Sequence, residues 1–217
     1  MTANQLALLK ISAWQSFYMV LVSTVLTAVM GIPLGVLVVV ARPGHILANK
    51  LLYRVLGFVI NATRSIPFPI FIVFVIPLTR FLVGQAIGST AVIVPLTLAA
   101  VVFMARLTET ALLEVPFGVI EAAQAVGATR WQIIWKVLLP EACPAMLMSV
   151  TITIITLISY SAMAGAVGGG GLGDFAIRYG YQRYQTVVMW VTVIMLVIIV
   201  QGVQITGDYL VRRFTRR

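Results

Sequence analysis

Apolar and polar positions along this chain alternate over tens of residues rather than over single turns. Five long apolar blocks stand out: Phe17 to Val40, Phe58 to Leu82, Ile87 to Met104, Ala145 to Val167 and Thr186 to Ile205. A helix of roughly 20 apolar residues crosses the hydrocarbon of a bilayer, so each block predicts a membrane-spanning helix. Gly31, Pro33 and Gly35 break the first block mildly, and the second carries Pro67, Pro69 and Pro77. The pattern predicts an all-α polytopic membrane protein with five transmembrane helices in a single domain, residues 1–217. No internal repeat is apparent. The first block is too long for a signal-peptide core, and no convincing cleavage site follows it, so it is expected to stay as a span.

Composition sharpens this picture. The chain is 61% hydrophobic and 10% charged, against about 45–50% and about 25% in soluble domains. The net charge of +9 is spread between apolar blocks and forms no basic patch, which argues against nucleic acid. Membrane topology explains it better. Five spans put the termini on opposite sides, and cytoplasmic segments are enriched in Lys and Arg. With the C-terminus inside, eleven of the fifteen basic residues are cytoplasmic. These are Arg42, Lys50, Arg54 and Arg64, then Arg106, Arg130 and Lys136, then Arg212, Arg213, Arg216 and Arg217. Lys10, Arg80, Arg178 and Arg183 lie outside. The expectation is therefore N-terminus outside and C-terminus cytoplasmic. The single cysteine, Cys143, rules out an intrachain disulfide and a cysteine metal framework. His45, the sole histidine, lies in a basic turn and reads as solvated.

One polar stretch cannot sit in lipid. Glu121 to Pro140 carries Glu121, Arg130 and Lys136 between two spans, on the predicted cytoplasmic side. Pro116 is placed to open a short helix, and Gly127 supplies the left-handed residue that closes it. Thr129 with Gln132 forms a capping-box pattern for a second short helix, which Pro140 ends. Ala122, Ala123 and Ala125 make a small face that another backbone could approach. On these local signals alone, a plain surface hairpin and a docking element both remain open.

The fourth block carries a polar stripe. Ser149, Thr153, Thr156, Tyr160 and Met163 are spaced to share one helical face. Such hydroxyls bond to neighbouring helices, or line a water-accessible passage with Met163 as a flexible plug. Arg64 beside Pro67 reads as a snorkelling anchor, with a bend lining a passage as the other reading. Gly168, Gly170 and Gly173 satisfy the dinucleotide spacing but follow a membrane helix, with no βαβ unit around them. They predict a helix end and a tight turn, and no ATP-binding motif is present. Asp174 to Tyr181 is amphipathic and aromatic, which suits the membrane interface. No Asp or Glu lies deep in a block to couple ions, since Asp208 sits at the end of the fifth. No paired acid, base or nucleophile suggests an enzyme.

Glu121-Ala122-Ala123, three residues, Gly127, nine residues, then Val137-x-Leu139-Pro140 resembles the EAA coupling loop of ABC importer permeases. Val137 stands where many members have Ile. Other stretches resemble the methionine-import branch of that family: Ala41 to Gly44, Arg64 to Phe68, Ala111 to Pro116, and the run from Tyr160 to Tyr184. The likeness extends over nearly the whole chain and implies a type I ABC importer permease fold. It implies a cytoplasmic coupling loop at about 116–140 that docks on an ATPase, with Glu121, Ala122, Ala123, Gly127, Ala128, Leu139 and Pro140 in that role. Glu121 is expected to steady the loop by an ion pair or a cap. A homodimer, two copies of an ATP-binding subunit carrying ATP and magnesium, and a periplasmic or lipid-anchored binding protein are implied, in a bacterial inner membrane. The chain itself is then non-catalytic and binds no cofactor or metal. A permease for another small amino acid remains open, as does an ATP-independent channel or ion-coupled transporter.

Overall fold

A computed structural model describes residues 3–215, which are helical with short connections and, among those residues, no strand. The basic residues Arg216 and Arg217 of the topology argument lie outside the described residues. Four helices are individually long and apolar enough to cross a membrane, and a fifth span exists only if a bent pair is counted as one.

The first helix, α1, runs Ala3–Ala41 and starts well before the predicted block. Its early residues, rich in Ala, Leu, Gln and Lys, favour helix in water as well as in lipid. Its 39 residues would be about 58 Å long at 1.5 Å per residue, more than a bilayer core requires. Gly31 and Gly35 are the points where α5 (Ser89–Leu113) comes closest. A Cβ on Gly35 would lie 2.6 Å from the Ala105 carbonyl, and one on Gly31 would lie 2.9 Å from Met104 Cβ. Small residues four apart let two membrane helices pack backbone to backbone, and α1 against α5 forms the centre of the bundle.

The second block departs from expectation, because it is not one rod. It divides into α2 (Lys50–Arg64), α3 (Phe68–Phe74) and α4 (Ile76–Val83), with a bend of 105° between α2 and α3. Pro67, Pro69 and Pro77 each remove a helix donor and clash with the preceding turn, so the helix breaks where they fall. Asn49 caps α2 by accepting the Leu52 N–H at 3.0 Å. Only Ile60 of α2 is buried, while Leu51, Val55 and Phe58 are exposed.

Helix α5 (Ser89–Leu113) outlasts the predicted third block by more than two turns. Pro116 immediately precedes α6 (Phe117–Ala125), as expected. Pro140, by contrast, does not end the next helix. Arg130–Gly165 is one 36-residue rod, made of α7 (Arg130–Gln132), a wider π turn (Ile133–Leu138) and α8 (Leu139–Gly165). The π turn lets the helix pass the proline. Leu139 N–H reaches back five residues to Ile134 O, which shifts the carbonyl that a proline ring would otherwise strike. The fourth span and the second half of the polar stretch are therefore a single mechanical piece.

The glycine run ends α8 as predicted, with Gly168, Gly170 and Gly171 at φ of +84°, +75° and +80°. The segment that follows is not a simple interfacial strip. Helix α9 (Gly171–Phe175) and a π turn (Ala176–Tyr181) fold back into the bundle, with Leu172 and Phe175 buried against Leu9 and Val188. Gly173 permits this, because a Cβ there would overlap the Ala162 carbonyl. Gln15 Oε1 accepts the Gly171 N–H at 2.9 Å and Ser16 Oγ accepts the Leu172 N–H at 2.8 Å, which pins the loop to α1. The last helix, α10 (Thr186–Thr215), packs on α8 and leaves most of its apolar surface outward.

Candidate functional site

The polar stretch forms a compact helical hook. Helix α6 ends at Val126, and Gly127 turns the chain at φ +81°. The Ala128 N–H then donates to the Ala123 carbonyl at 3.0 Å, closing the turn. The capping box is present in both directions: Thr129 N–H donates to Gln132 Oε1 at 2.8 Å, and Gln132 N–H donates to Thr129 Oγ1 at 3.4 Å. Each of these bonds satisfies a backbone group that the helix ends would leave open.

The hook has an inner and an outer side. Ile120, Ile133, Ile134 and Leu138 are buried against Val39, Val40, Leu112 and Val115, with Ala123, Ala128 and Leu139 packed around them. These last three residues, expected in a docking surface, are partly buried against the bundle. Glu121, Ala122, Gly127 and Pro140 do face outward. Glu121 makes no ion pair or hydrogen bond among the described residues, so neither a cap nor a bridge steadies the hook through it.

Sequence reasoning missed the bulkiest part of the outer side. Val126 is 84% exposed, Trp131 68% and Trp135 65%, and Phe117 joins them. Two tryptophans four residues apart share a helix face, within a stretch that the sequence reads as too polar for lipid. That spacing inside a polar hook was the available signal. Large exposed apolar side chains outside a membrane mark a protein contact.

The polar stripe of α8 divides along its length. Ser149 and Thr153 are buried: Ser149 Oγ donates to Ala145 O at 3.0 Å and to Leu107 O of α5 at 3.4 Å, and Thr153 Oγ1 donates to Ser149 O at 2.8 Å. Thr153 also lies 3.3 Å from Met104 Sδ. This half packs helix on helix. Farther along, Thr156 is half-buried, the Tyr160 ring stacks on Phe68 with centroids 4.3 Å apart, and Met163 is 48% exposed beside Pro69 of α3. This half faces open space.

Two ionisable groups fall in places the sequence did not indicate. Because α5 continues past Met104, Glu109 is a buried carboxylate, paired with Arg106 at 2.6 Å near the hook. His45 is half-buried rather than solvated, and its Nδ1 has no hydrogen-bond partner among the described residues. Burial, and then the charge of Arg42, pull its pKa below the usual histidine value.

Comparison with known proteins points one way. The family described as "Binding-protein-dependent transport system inner membrane component" matches residues 31–217. The chain is 56% identical to a Vibrio cholerae protein named "Probable D-methionine transport system permease protein MetI", covering 97% of this chain and 93% of that one. It is 51% identical to the D-methionine transport system permease protein MetI of Escherichia coli K12 over 76% of each. A solved structure of the MetNI methionine ABC transporter in an inward-facing conformation matches with a TM-score of 0.97 at 50% identity, covering 99% of both chains. An amino acid ABC transporter solved with histidines shares the fold, with a TM-score of 0.78 at 17% identity.

Proposed function

This chain belongs to the family of binding-protein-dependent transport system inner membrane components, and from that premise we propose that it is the membrane-spanning permease of an ATP-driven methionine importer. It is a transport component, and ATP hydrolysis resides in a separate subunit. The observation that carries the mechanism is the unbroken rod from Arg130 to Gly165. One end of that rod is the outer side of the hook, and the other is the half-exposed Met163 and the glycine turn. A subunit that grips Trp131 and Trp135 would move Tyr160 and Met163 directly, because all four lie on that rod.

The rest follows from this arrangement. One chain offers one hook, so two copies around a twofold axis give a pair of ATPase subunits one lever each. The hook faces the cytoplasm, which places the N-terminus outside and the C-terminus inside, with the bent second block as the fifth span. The whole chain acts as one permease domain, and 116–140 as its coupling element. Glu121, Ala122, Gly127 and Pro140 meet the ATPase, while Ala123, Ala128 and Leu139 fix the hook to the bundle. Closure of the ATPases on ATP and magnesium draws the hooks together and switches the bundle from inward-open to outward-open. A binding protein delivers methionine at the end opposite the hooks. The bacterial inner membrane is the setting.

The test is uptake by the permease–ATPase complex in proteoliposomes with its binding protein, across a panel of labelled amino acids. ATP-dependent uptake of methionine above all others is the expected result. Equal uptake without ATP would overturn the importer reading, and preference for another amino acid would overturn the cargo.

A further inference from the structure

This inference rests on the methionine-importer reading and concerns a cleft outside the hook. Helices α2, α3, α5 and α8 enclose a space of about 160 Å³ lined by Arg64, Phe68, Phe71, Phe103 and Tyr160. A cavity of ~150 Å³ accepts benzene, so the cleft has room for one small organic molecule. Phe103 lies ten residues from the inner end of α5, about 15 Å along the helix. Arg64 is exposed and is the last residue of α2. Its guanidinium sits 5.8 Å from the Phe103 ring centre. It has no carboxylate or hydrogen-bond partner among the described residues. An exposed guanidinium held beside a ring face keeps its N–H donors open to an anionic partner.

The remaining groups define what would complete the site. Tyr160 is held flat against Phe68, with an angle of 2° between the rings. Its hydroxyl makes no hydrogen bond among the described residues. The fork of an Arg side chain matches a carboxylate in two parallel hydrogen bonds. Aromatic faces attract both a thioether sulfur and an ammonium group. The cleft shares Tyr160 with the stripe that continues, one turn on, to Met163.

We propose that this cleft is a transient substrate site within the permease, taking an apolar α-amino acid with its carboxylate on Arg64 and its side chain against Phe68, Phe103 and Tyr160. A diazirine-bearing methionine analogue, irradiated with the intact permease–ATPase complex in lipid nanodiscs, tests it. Adducts should map to peptides containing residues 64–71, 99–103 or 160. Methionine and norleucine should displace the label, whereas methioninol, which lacks the carboxylate, should not. Arg64→Gln should lower labelling at least about tenfold, the scale of one lost charged hydrogen-bonding pair, and Arg64→Lys should keep part of it. Adducts only elsewhere, or displacement by methioninol as readily as by methionine, would overturn the site. So would labelling indifferent to Arg64→Gln. If Arg64 instead holds a lipid phosphate, Arg64→Gln will reduce retained phospholipid and leave no displaceable adduct in the cleft, which also overturns it. Should Arg64→Gln fail to assemble, the displacement pattern on the unmodified complex decides alone. The uptake panel keeps the two readings apart. Without methionine uptake the cargo reading fails, while carboxylate-dependent displacement in the cleft would still support the site.

Discussion

Replacing Gly127 separates two reasons why a glycine stands at the turn of the hook. A Cβ added there meets nothing within 4 Å, so the chain itself has room for a side chain. The cost comes from the backbone, which sits at φ +81°. A non-glycine L-residue in that region pays about 1–2 kcal/mol, and Asn pays less. Membrane insertion should survive, because whole domains carry about 5–15 kcal/mol. The hook is different: about 1.4 kcal/mol shifts a local equilibrium tenfold, enough to depopulate the turn that presents Val126 and Trp131. Gly127→Ala should therefore cut methionine uptake about tenfold. Gly127→Val should nearly abolish it, since a β-branched residue is stiffer still, and Gly127→Asn should keep most activity. Uptake in proteoliposomes is the assay, with the amount of inserted protein as control. Wild-type uptake by the Ala and Val variants would refute the argument. An Asn variant as poor as Val would move the cause from the turn to the space a bound ATPase leaves for it.

Other consequences are as direct. Trp131→Ala and Trp135→Ala should each weaken ATPase association by at least about 2 kcal/mol, roughly thirtyfold, if they are interface anchors; ATPase titration onto the purified permease reads this, and unchanged affinity would remove them from the contact. Gly173→Ala should lower the thermal unfolding temperature, since its Cβ would overlap the Ala162 carbonyl and backbone cannot yield cheaply; an unshifted melt would mean the α8–α9 contact is looser than described. Met163→Ala should raise substrate leak in the absence of ATP, whereas Ser149→Ala, which loses bonds inside a packed face, should leave leak unchanged. Equal leak from both would make the whole stripe packing.

Apolar block length was enough to read the helical membrane fold, because the cost of exposing backbone to lipid acts on any sequence alike. The hook was legible in detail at Gly127, Thr129 and Gln132, where a local rule fixes a local conformation. Pro140 was misread for an instructive reason: proline ends a regular α-helix, but a π turn one step earlier lets the helix continue. In the second block the prolines raised a bend, but hydropathy could not give its angle of 105°. The burial of α9 depended on Gly173 meeting α8, a contact between segments that periodicity does not couple. In the hook, the small residues drew attention, but Ala123, Ala128 and Leu139 turn inward, and the exposed tryptophans form the larger outer surface.

The claim on which the mechanism stands is that the hook projects into the cytoplasm. Val126 is its most exposed large apolar side chain, at 84%, and Cys143 is the only native thiol. Val126→Cys in a Cys143→Ala background can therefore be probed with a membrane-impermeant maleimide. The account predicts labelling in inside-out vesicles but not in intact cells, and protection from label once the ATPase subunit is bound. Labelling from the outside of intact cells would put the hook where no ATP-driven subunit can hold it.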